Sequence, residues 1–424
     1  MKLTPYWLDT SEPFDQSPSA PLEGHYDVAV VGGGITGSSA ALALAKKGAR
    51  VAVLEATTIG NAASGRNGGM CNNGFAQDYA SMVGKFGKEK ANAFYKAFDS
   101  GVDLVEKLVH EEGIDCNFAR VGKLKLAAKP EHYEKLARAH ELLSEGADPE
   151  TRLIAKADLH NEVATDRYHG GLLFPKSAQM HVGRYVRGLA RAAARHGAGI
   201  YEQAPVTALK KVTGGHVVET PKGKITARQV LLASGISQVG PLGWIRRRIV
   251  PVGAFLIVTE PLAPEQIARL MPTGRNVVDT RNLVVYWRLT PDNRMLFGGR
   301  ARFAGSNPQS DEKSGRILQA TMLDVYPELA GTQIDYCWGG LVDMTRDRLP
   351  RAGERDGIFY STGYSGHGTH MATLMGHIMA DVMDGHPDLN PWKDFTWPAI
   401  PGYFGRPWFL PVLGAYFRMK DLVT

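Results

Sequence analysis

Apolar and polar positions along this chain fall into blocks whose period changes several times. The first block, Tyr26-Asp27-Val28-Ala29-Val30-Val31, is a β-rich run that ends on glycine. An Ala/Leu-rich segment at 38–47 then predicts a helix stopped by Gly48, and 50–54 predicts a second strand. Ala91, Phe94, Tyr95, Phe98, Val102 and Val105 recur at helical spacing, as do Tyr133, Leu136, Ala137, His140 and Leu143. Both sets read as packing faces, with His140 as a core or boundary histidine and 121–127 as a strand between the helices. A third helix is predicted at about 181–196, with Val182, Tyr185, Val186, Leu189, Ala190 and Ala193 on one face. Strands follow at 199–203, around the turns Gly214-Gly215 and Lys222-Gly223, and at 230–235. From 251 to 302 the period becomes two, with strands at 252–259, 284–289 and 295–299 and helices near 265–271 and 315–326. A final strand at 358–363 runs into Tyr364-Ser365-Gly366-His367-Gly368-Thr369, then a helix with a methionine-rich face that Gly385 caps.

The glycines after the first strand are the most informative. Gly32, Gly34 and Gly37 have the dinucleotide spacing: one for a tight turn, one for close approach to a pyrophosphate, one for helix–strand packing. Glu55 ends the second strand 23 residues after Gly32, where an acidic side chain takes ribose hydroxyls. The competing reading is a glycine-rich loop in an unrelated α/β core; the strand, helix and acidic residue around the motif argue against it. The loop Ala63-Ser64-Gly65-Arg66-Asn67-Gly68-Gly69 is small and polar around one guanidinium, suited to phosphates or a ring edge.

Length and charge narrow the class. A chain of 424 residues suits two domains, and 44% apolar with 22% charged residues is ordinary for a globular protein. The net charge of +6 is dispersed, with Arg246-Arg247-Arg248 read as a solvated turn, so nucleic acid is not the expected partner. Three scattered cysteines (Cys71, Cys116, Cys337) argue against a disulfide framework or a zinc site and suit a reducing, cytoplasmic setting. No secretory signal is visible after Lys2. Residues 28–45 lack charge, but their consecutive glycines fit the nucleotide motif better than a membrane span. His370, His377 and Asp381 share a helix face and read as structural, so no metal is expected. Gly363-x-Ser365 lacks the closing glycine of a hydrolase elbow, His367 standing in its place.

Residues 27–37, Val53-Leu54-Glu55-Ala56, 63–69 and Gly363-Tyr364-Ser365-Gly366-His367-Gly368 together resemble the FAD-dependent D-amino-acid oxidase family, its γ-glutamylputrescine oxidoreductase-like amine oxidases in particular. The resemblance covers nearly the whole chain, including 297–300. It implies a mixed α/β fold: a Rossmann-like FAD-binding domain with a parallel sheet, and an interleaved, mostly antiparallel substrate domain roofing the flavin. The expected division is an arm at 1–25, FAD-binding segments 26–85, 170–245 and 336–390, substrate segments 86–169 and 246–335, and an aromatic tail at 391–424. FAD would be held by Gly32, Gly34, Ile35, Thr36, Gly37, Glu55, Ala63, Ser64, Arg66, Asn67, Gly68, Val206 on the adenine side, Gly235, Gly363, Gly366, His367, Gly368 and Thr369.

Relatives that tether the flavin use a cysteine before a Thr-x-Asp segment or a histidine in the early loop. Here Gly340 takes the cysteine's place, Cys337 is three residues away, and no histidine lies between Ala56 and Tyr79, so the FAD is expected to be non-covalent. A flavin accepts hydride itself, which leaves the protein to bind and orient. The β-region offers Arg281, Tyr286, Trp287, Arg288, Arg300 and Arg302; Tyr286 with Arg288 would grip a carboxylate, Trp338 would wall an amine, and His367 would sit in the positive site at the flavin.

The expected activity is oxidation of a C–N bond of a small amine or amino acid to an imine, with oxygen or an electron carrier as acceptor. The alternatives are a 2-hydroxy-acid or amino-acid dehydrogenase that uses a quinone or other carrier, and a non-catalytic flavin subunit. The tail aromatics Trp392, Trp397, Tyr403, Phe404, Trp408, Phe409, Tyr416 and Phe417 are expected to pack on the protein, contact with a membrane surface being the alternative.

Overall fold

The computed structural model describes residues 1–236, 243–300 and 307–423. In one eight-stranded sheet, Leu22–Val31 lies between Val51–Leu54 and Gly223–Leu232, with Gly199–Tyr201 and Ile358–Thr362 outside them, all parallel. Arg351–Arg355 closes that edge antiparallel, and Ala208–Val212 with Gly215–Thr220 extends Gly223–Leu232 as a hairpin flap. Parallel strands are covered on both faces, so alternate residues feed two cores. Val28, Val30, Val51 and Val53 join the helices Ile35–Lys46, Lys88–Glu111, Val182–Arg195 and Gly368–Met383; Ala29, Ala52 and Leu54 face the other way. Helix Gly368–Met383 lies directly on Ile35–Lys46 because a Cβ at Gly376 would stand 2.7 Å from the Thr36 carbonyl oxygen.

The second sheet also has eight strands, in the order Ile334–Met344, Val250–Pro261, Arg294–Gly299, Val285–Leu289, Asn276–Asp279, Lys123–Leu126, Gly171–Phe174, Arg152–Ile154. Only the pairing of Asn276–Asp279 with Lys123–Leu126 is parallel. Its outer face packs Trp287, Phe297, Ile257 and Cys337 against helix Pro308–Val325. Its inner face is turned to the first domain.

Several expected boundaries differ. The strand Ile334–Met344 spans the division expected at 336, and Gly171–Phe174, expected in the first domain, belongs to the second sheet. Conversely, helix Lys88–Glu111 packs on the first domain through Phe94, Phe98 and Val102. Strand partners come from distant parts of the chain, so the local pattern reveals the strand and not its sheet. Val206 is buried in the loop before Ala208–Val212. The arm at 1–25 is not merely extended: it holds the short helix Tyr6–Asp9, buries Trp7 completely, and Arg187 donates to its Ser11 and Glu12 carbonyls. Among the tail aromatics, Trp392 and Tyr403 are buried and Trp397, Phe409 and Phe417 half-buried, whereas Phe404, Trp408 and Tyr416 are exposed. No helix among the described residues is long and apolar enough to cross a membrane.

Candidate functional site

The turn after Leu22–Val31 takes the conformation that its glycines allow. Gly32 has φ +108°, which an L side chain avoids, and a Cβ there would meet the Ala233 carbonyl oxygen at 2.8 Å. A Cβ at Gly37 would stand 1.9 Å from the Gly32 carbonyl oxygen, so the third glycine sets how closely helix and strand approach. At Gly34, a Cβ would fill the cradle 2.8 Å from Ser64 Oγ. The N-cap residue of helix Ile35–Lys46, Gly34, has no side chain to offer, and Ser64 Oγ accepts from the Ile35 N–H at 2.9 Å. Glu55, half-exposed at the end of its strand, accepts from Gly33 N at 2.7 Å and from Thr57 N at 2.8 Å. This helix N-terminus, the glycine cradle and the carboxylate fit a dinucleotide.

The loop at 63–69 joins the domains. Asn67 Nδ2 donates to the Ala63 and Ser64 carbonyls, and its Oδ1 accepts from Gly69 N and, at 3.4 Å, from Thr369 Oγ1. Arg66 is engaged with protein carbonyls, its Nε with Asn61 and its Nη1 with Gly339. Trp338, fully buried, donates its indole N–H to the Arg66 carbonyl at 3.0 Å and so holds the loop to the second sheet.

The C-terminal turn meets the same place. Tyr364 is hydrogen-bonded to Thr36 at 2.8 Å, linking this turn to the first glycine helix. Gly363, Ser365 and Gly366 all have positive φ, and Gly363 N donates to the half-buried Asp343 carboxylate at 2.7 Å. His367 stands at the N-cap of Gly368–Met383 with no side-chain cap bond there, and its Nδ1 is buried without a partner. Burial, then the cations Lys123, Lys125, Arg348 and Arg300, push its pKa down to about 3. Gly235, with φ +59°, accepts from Thr362 Oγ1 at 3.3 Å on the neighbouring strand end.

Sheet register builds the opposite wall. Lys125 pairs with Val278, Val278 with Tyr286, Tyr286 with Gly298, Gly298 with Leu256, and Leu256 with Trp338. That row shares one face, turned towards the glycine loops. Arg300, two residues after Gly298, continues the same face. The Tyr286 ring lies against Gly68, where a Cβ would come within 3.1 Å of it, and over Gly298, where a Cβ would come within 2.6 Å. Burial raises the Tyr286 hydroxyl to about 12.

Three sequence expectations change here. Arg288 shares the face of Tyr286 but is fully buried, donating to the carbonyls of Gly69 at 2.6 Å, Met180 at 2.9 Å and Leu289 at 2.9 Å, and stacking on Trp7. Burial lowers it to about 9. It is an internal strap, not a carboxylate grip. Arg281 is paired with buried Asp279, and Trp287 faces the outer core; Arg302 lies outside the described residues. Trp338 braces the loop, with no free face to wall an amine.

Two inward cations escaped the sequence reading. Lys123 and Lys125 alternate with leucines in a strand that resembles one with a solvated face, yet Lys123 donates to the Asn73 carbonyl at 2.6 Å and burial pushes it down to about 7. Arg348 sits in the turn after Ile334–Met344 with φ +55°. Among the described residues no cluster of three or more histidine, cysteine or acidic side chains forms a metal site. His377 Nδ1 is hydrogen-bonded to Ser39 Oγ at 2.9 Å and Asp381 pairs with Lys47, which places both in helix packing.

The model of FAD-dependent oxidoreductases named DAO matches residues 27–382. Over 405 residues the chain is 32% identical to a probable oxidoreductase OrdL of Haemophilus influenzae, covering 94% of this chain and 92% of that one. It is 33% identical over 403 residues to the γ-glutamylputrescine oxidoreductase of Escherichia coli, covering 93% and 92%. A solved glycine oxidase from Geobacillus kaustophilus superposes with a TM-score of 0.69 at 24% identity, covering 90% of this chain and 99% of that one, and so shares the fold. The chain belongs to the DAO family of FAD-dependent oxidoreductases.

Proposed function

We propose that the protein oxidises a C–N bond of a small amine or amino acid to an imine, which water hydrolyses, using FAD held without a covalent bond. The observation that carries this reading is that the Tyr286 row of the second sheet faces the glycine loops, with the Tyr286 ring against Gly68. Among the described residues that side offers cations and ring faces and no activated nucleophile. Bound FAD supplies the hydride acceptor.

The chain's own part is to bind, orient and exclude water. Gly32, Gly34 and Gly37 cradle the pyrophosphate, Glu55 takes the ribose, and the N-terminus of Gly368–Met383, beside His367, gives a positive end for the flavin's polar edge. Lys125, Arg300 and Arg348 make that side electropositive, which disfavours an ammonium and favours the neutral amine whose lone pair stabilises the forming imine. His367 (about 3) and Tyr286 (about 12) stay neutral at working pH. Non-covalent binding is supported by Cys337, whose Sγ points to the Asp311 carbonyl on the outer face, and by Gly340, which lies against Arg66 without a side chain. The electron acceptor is oxygen or a carrier, in a reducing interior compatible with three buried, unbridged cysteines.

Anaerobic stopped-flow mixing with amines, amino acids and hydroxy acids tests the reading. Amines are expected to bleach the flavin absorbance, and fast reduction by a hydroxy acid without nitrogen would overturn it. Acid precipitation should leave the yellow colour in the supernatant; flavin on a Cys337 peptide would overturn the non-covalent assignment.

A further inference from the structure

The arm before Leu22–Val31 ties both domains together across the loop at 63–69. On the second sheet, Lys2 N donates to the Asp335 carbonyl at 2.6 Å and the Lys2 carbonyl accepts from Cys337 N at 2.9 Å, which adds the arm to the outer edge of Ile334–Met344. Tyr336 Oη donates to Asp9 at 2.9 Å, and Tyr6 Oη donates to Asp292 in the turn before Arg294–Gly299. On the first domain, Arg187 of helix Val182–Arg195 donates to the Ser11 carbonyl at 2.6 Å and the Glu12 carbonyl at 3.2 Å. The short helix Tyr6–Asp9 sits between these anchors with Trp7 fully buried.

Trp7 and Leu8 bear directly on the loop. The Trp7 indole N–H donates to the Asn67 carbonyl at 2.7 Å, and its ring carries the Arg288 guanidinium, which donates to the Gly69 carbonyl at 2.6 Å. Asn67 in turn is bonded to Thr369 at the start of Gly368–Met383, and Ser64 to the Ile35 N–H at the start of Ile35–Lys46. The loop therefore touches both helix starts, and the arm fixes its peptide groups at 67 and 69. Gly65, Gly68 and Gly69 make such struts necessary, since glycine loses more conformational freedom on ordering than any other residue. The fit is close: a Cβ at Gly65 would stand 2.6 Å from Leu8 Cδ2 and one at Gly69 3.1 Å from Trp7 Cζ2. At Gly183, on Val182–Arg195, a Cβ would stand 2.2 Å from the Trp7 carbonyl oxygen and 2.8 Å from Ser11 Oγ, so that helix is cleared for the arm itself.

We propose that Trp7 is a positioning residue for FAD and that the arm is a clasp whose docking and FAD binding reinforce each other. With the arm docked, the loop is held at 67 and 69 before the cofactor arrives. With the arm undocked, FAD itself must order the glycine loop, and the entropy of that ordering is subtracted from its affinity. Linkage makes the effect reciprocal: the factor by which the docked arm strengthens FAD binding is the factor by which bound FAD strengthens arm docking. The inference rests on FAD lying at the glycine turns and is independent of which bond the flavin oxidises.

Cofactor affinity and amide exchange test this without turnover. In the full chain, hydrogen–deuterium exchange of peptides covering 3–15 and 60–72 should be about tenfold slower with FAD bound than in the apoprotein. Trp7→Phe keeps a ring in the buried place and deletes the N–H, so FAD affinity by fluorescence titration should fall about three- to tenfold, the fold-change of one hydrogen bond. Gly183→Ala pushes on the Trp7 carbonyl from the helix side and should weaken FAD in the same direction. Thermal midpoints of the apoproteins separate a clasp from mere scaffold: variants that melt earlier yet keep wild-type FAD affinity would overturn the inference. If neither variant folds, the wild-type exchange comparison decides alone, and exchange over 3–15 that is the same with and without FAD would overturn the clasp. A wild-type chain that takes up no FAD would overturn the cofactor assignment and the clasp together, whereas tight FAD binding with an unresponsive arm defeats the clasp only.

Discussion

Arg288→Ala is the sharpest test of how this site is built, because sequence and structure lead to opposite outcomes. As a carboxylate grip, its loss would weaken substrate binding by about 1–3 kcal/mol, the size of a charge-assisted hydrogen bond. In the fold, the guanidinium ties Gly69 and Met180 to its own strand and lies on the Trp7 ring. The Gly69 carbonyl keeps a second bond from Met180 N, but the Met180 carbonyl has its acceptor side left beside a void. Three charged hydrogen bonds, to Gly69, Met180 and Leu289, at ~1.5–3 kcal/mol each set the gross loss. Removing a buried charge returns part of it, since burial already holds Arg288 down to about 9. The net expectation is a destabilisation of about 3 kcal/mol, a large part of the 5–15 kcal/mol typical of a domain. Arg288→Met keeps the stem on Trp7 and should cost about half as much. Urea midpoints by circular dichroism and flavin fluorescence measure the effect, alongside acid affinities of the folded variants. An unchanged midpoint with acid binding weakened about thirtyfold would mean that Arg288 reaches the substrate after all.

Gly34→Ala should fold but bind FAD about 2 kcal/mol more weakly, because its Cβ would crowd Ser64 Oγ at 2.8 Å and fill the cradle; unchanged affinity by fluorescence titration would refute the cradle's role. The rate constant for flavin reduction at subsaturating amine should rise from pH 6 to 9, since the neutral fraction grows with pH for an amine of reference pKa about 10.4. Lys123, pushed down to about 7 by burial, titrates inside this window but is bonded to the Asn73 carbonyl, so Lys123→Met should leave the rise in place; a profile that flattens in the variant would assign the rise to the protein. His181, held by burial at about 3, binds a proton more readily in the unfolded chain, so its contribution to stability is constant above pH ~6.5 and falls as pH drops towards 3; His181→Asn should reduce the acid slope of the urea midpoint over that window. The tail is expected not to float with anionic liposomes, because Asp421 accepts from Asn282 and Leu283 and anchors helix Leu410–Val423 to the second domain; flotation that truncation after Arg406 abolishes would refute this.

The sequence by itself determined the cofactor half of this protein. Gly32, Gly34 and Gly37 followed by Glu55 are local: a strand, a turn and a helix within one short stretch, whose backbone requirements leave glycine as the residue that fits. The turn at 363–369 was legible for the same reason. What only the tertiary structure decided is which inward side chains are free. Arg288 and Arg300 look alike in a β-rich segment, yet register and the arm's Trp7 commit one to backbone carbonyls and leave the other open. Lys123 and Lys125 carry the alternation of a solvated strand face, but the first domain covers that face, so the lysines point inwards. Periodicity tells which residues share a face; whether that face meets water, a core or a substrate depends on what distant segments bring to it.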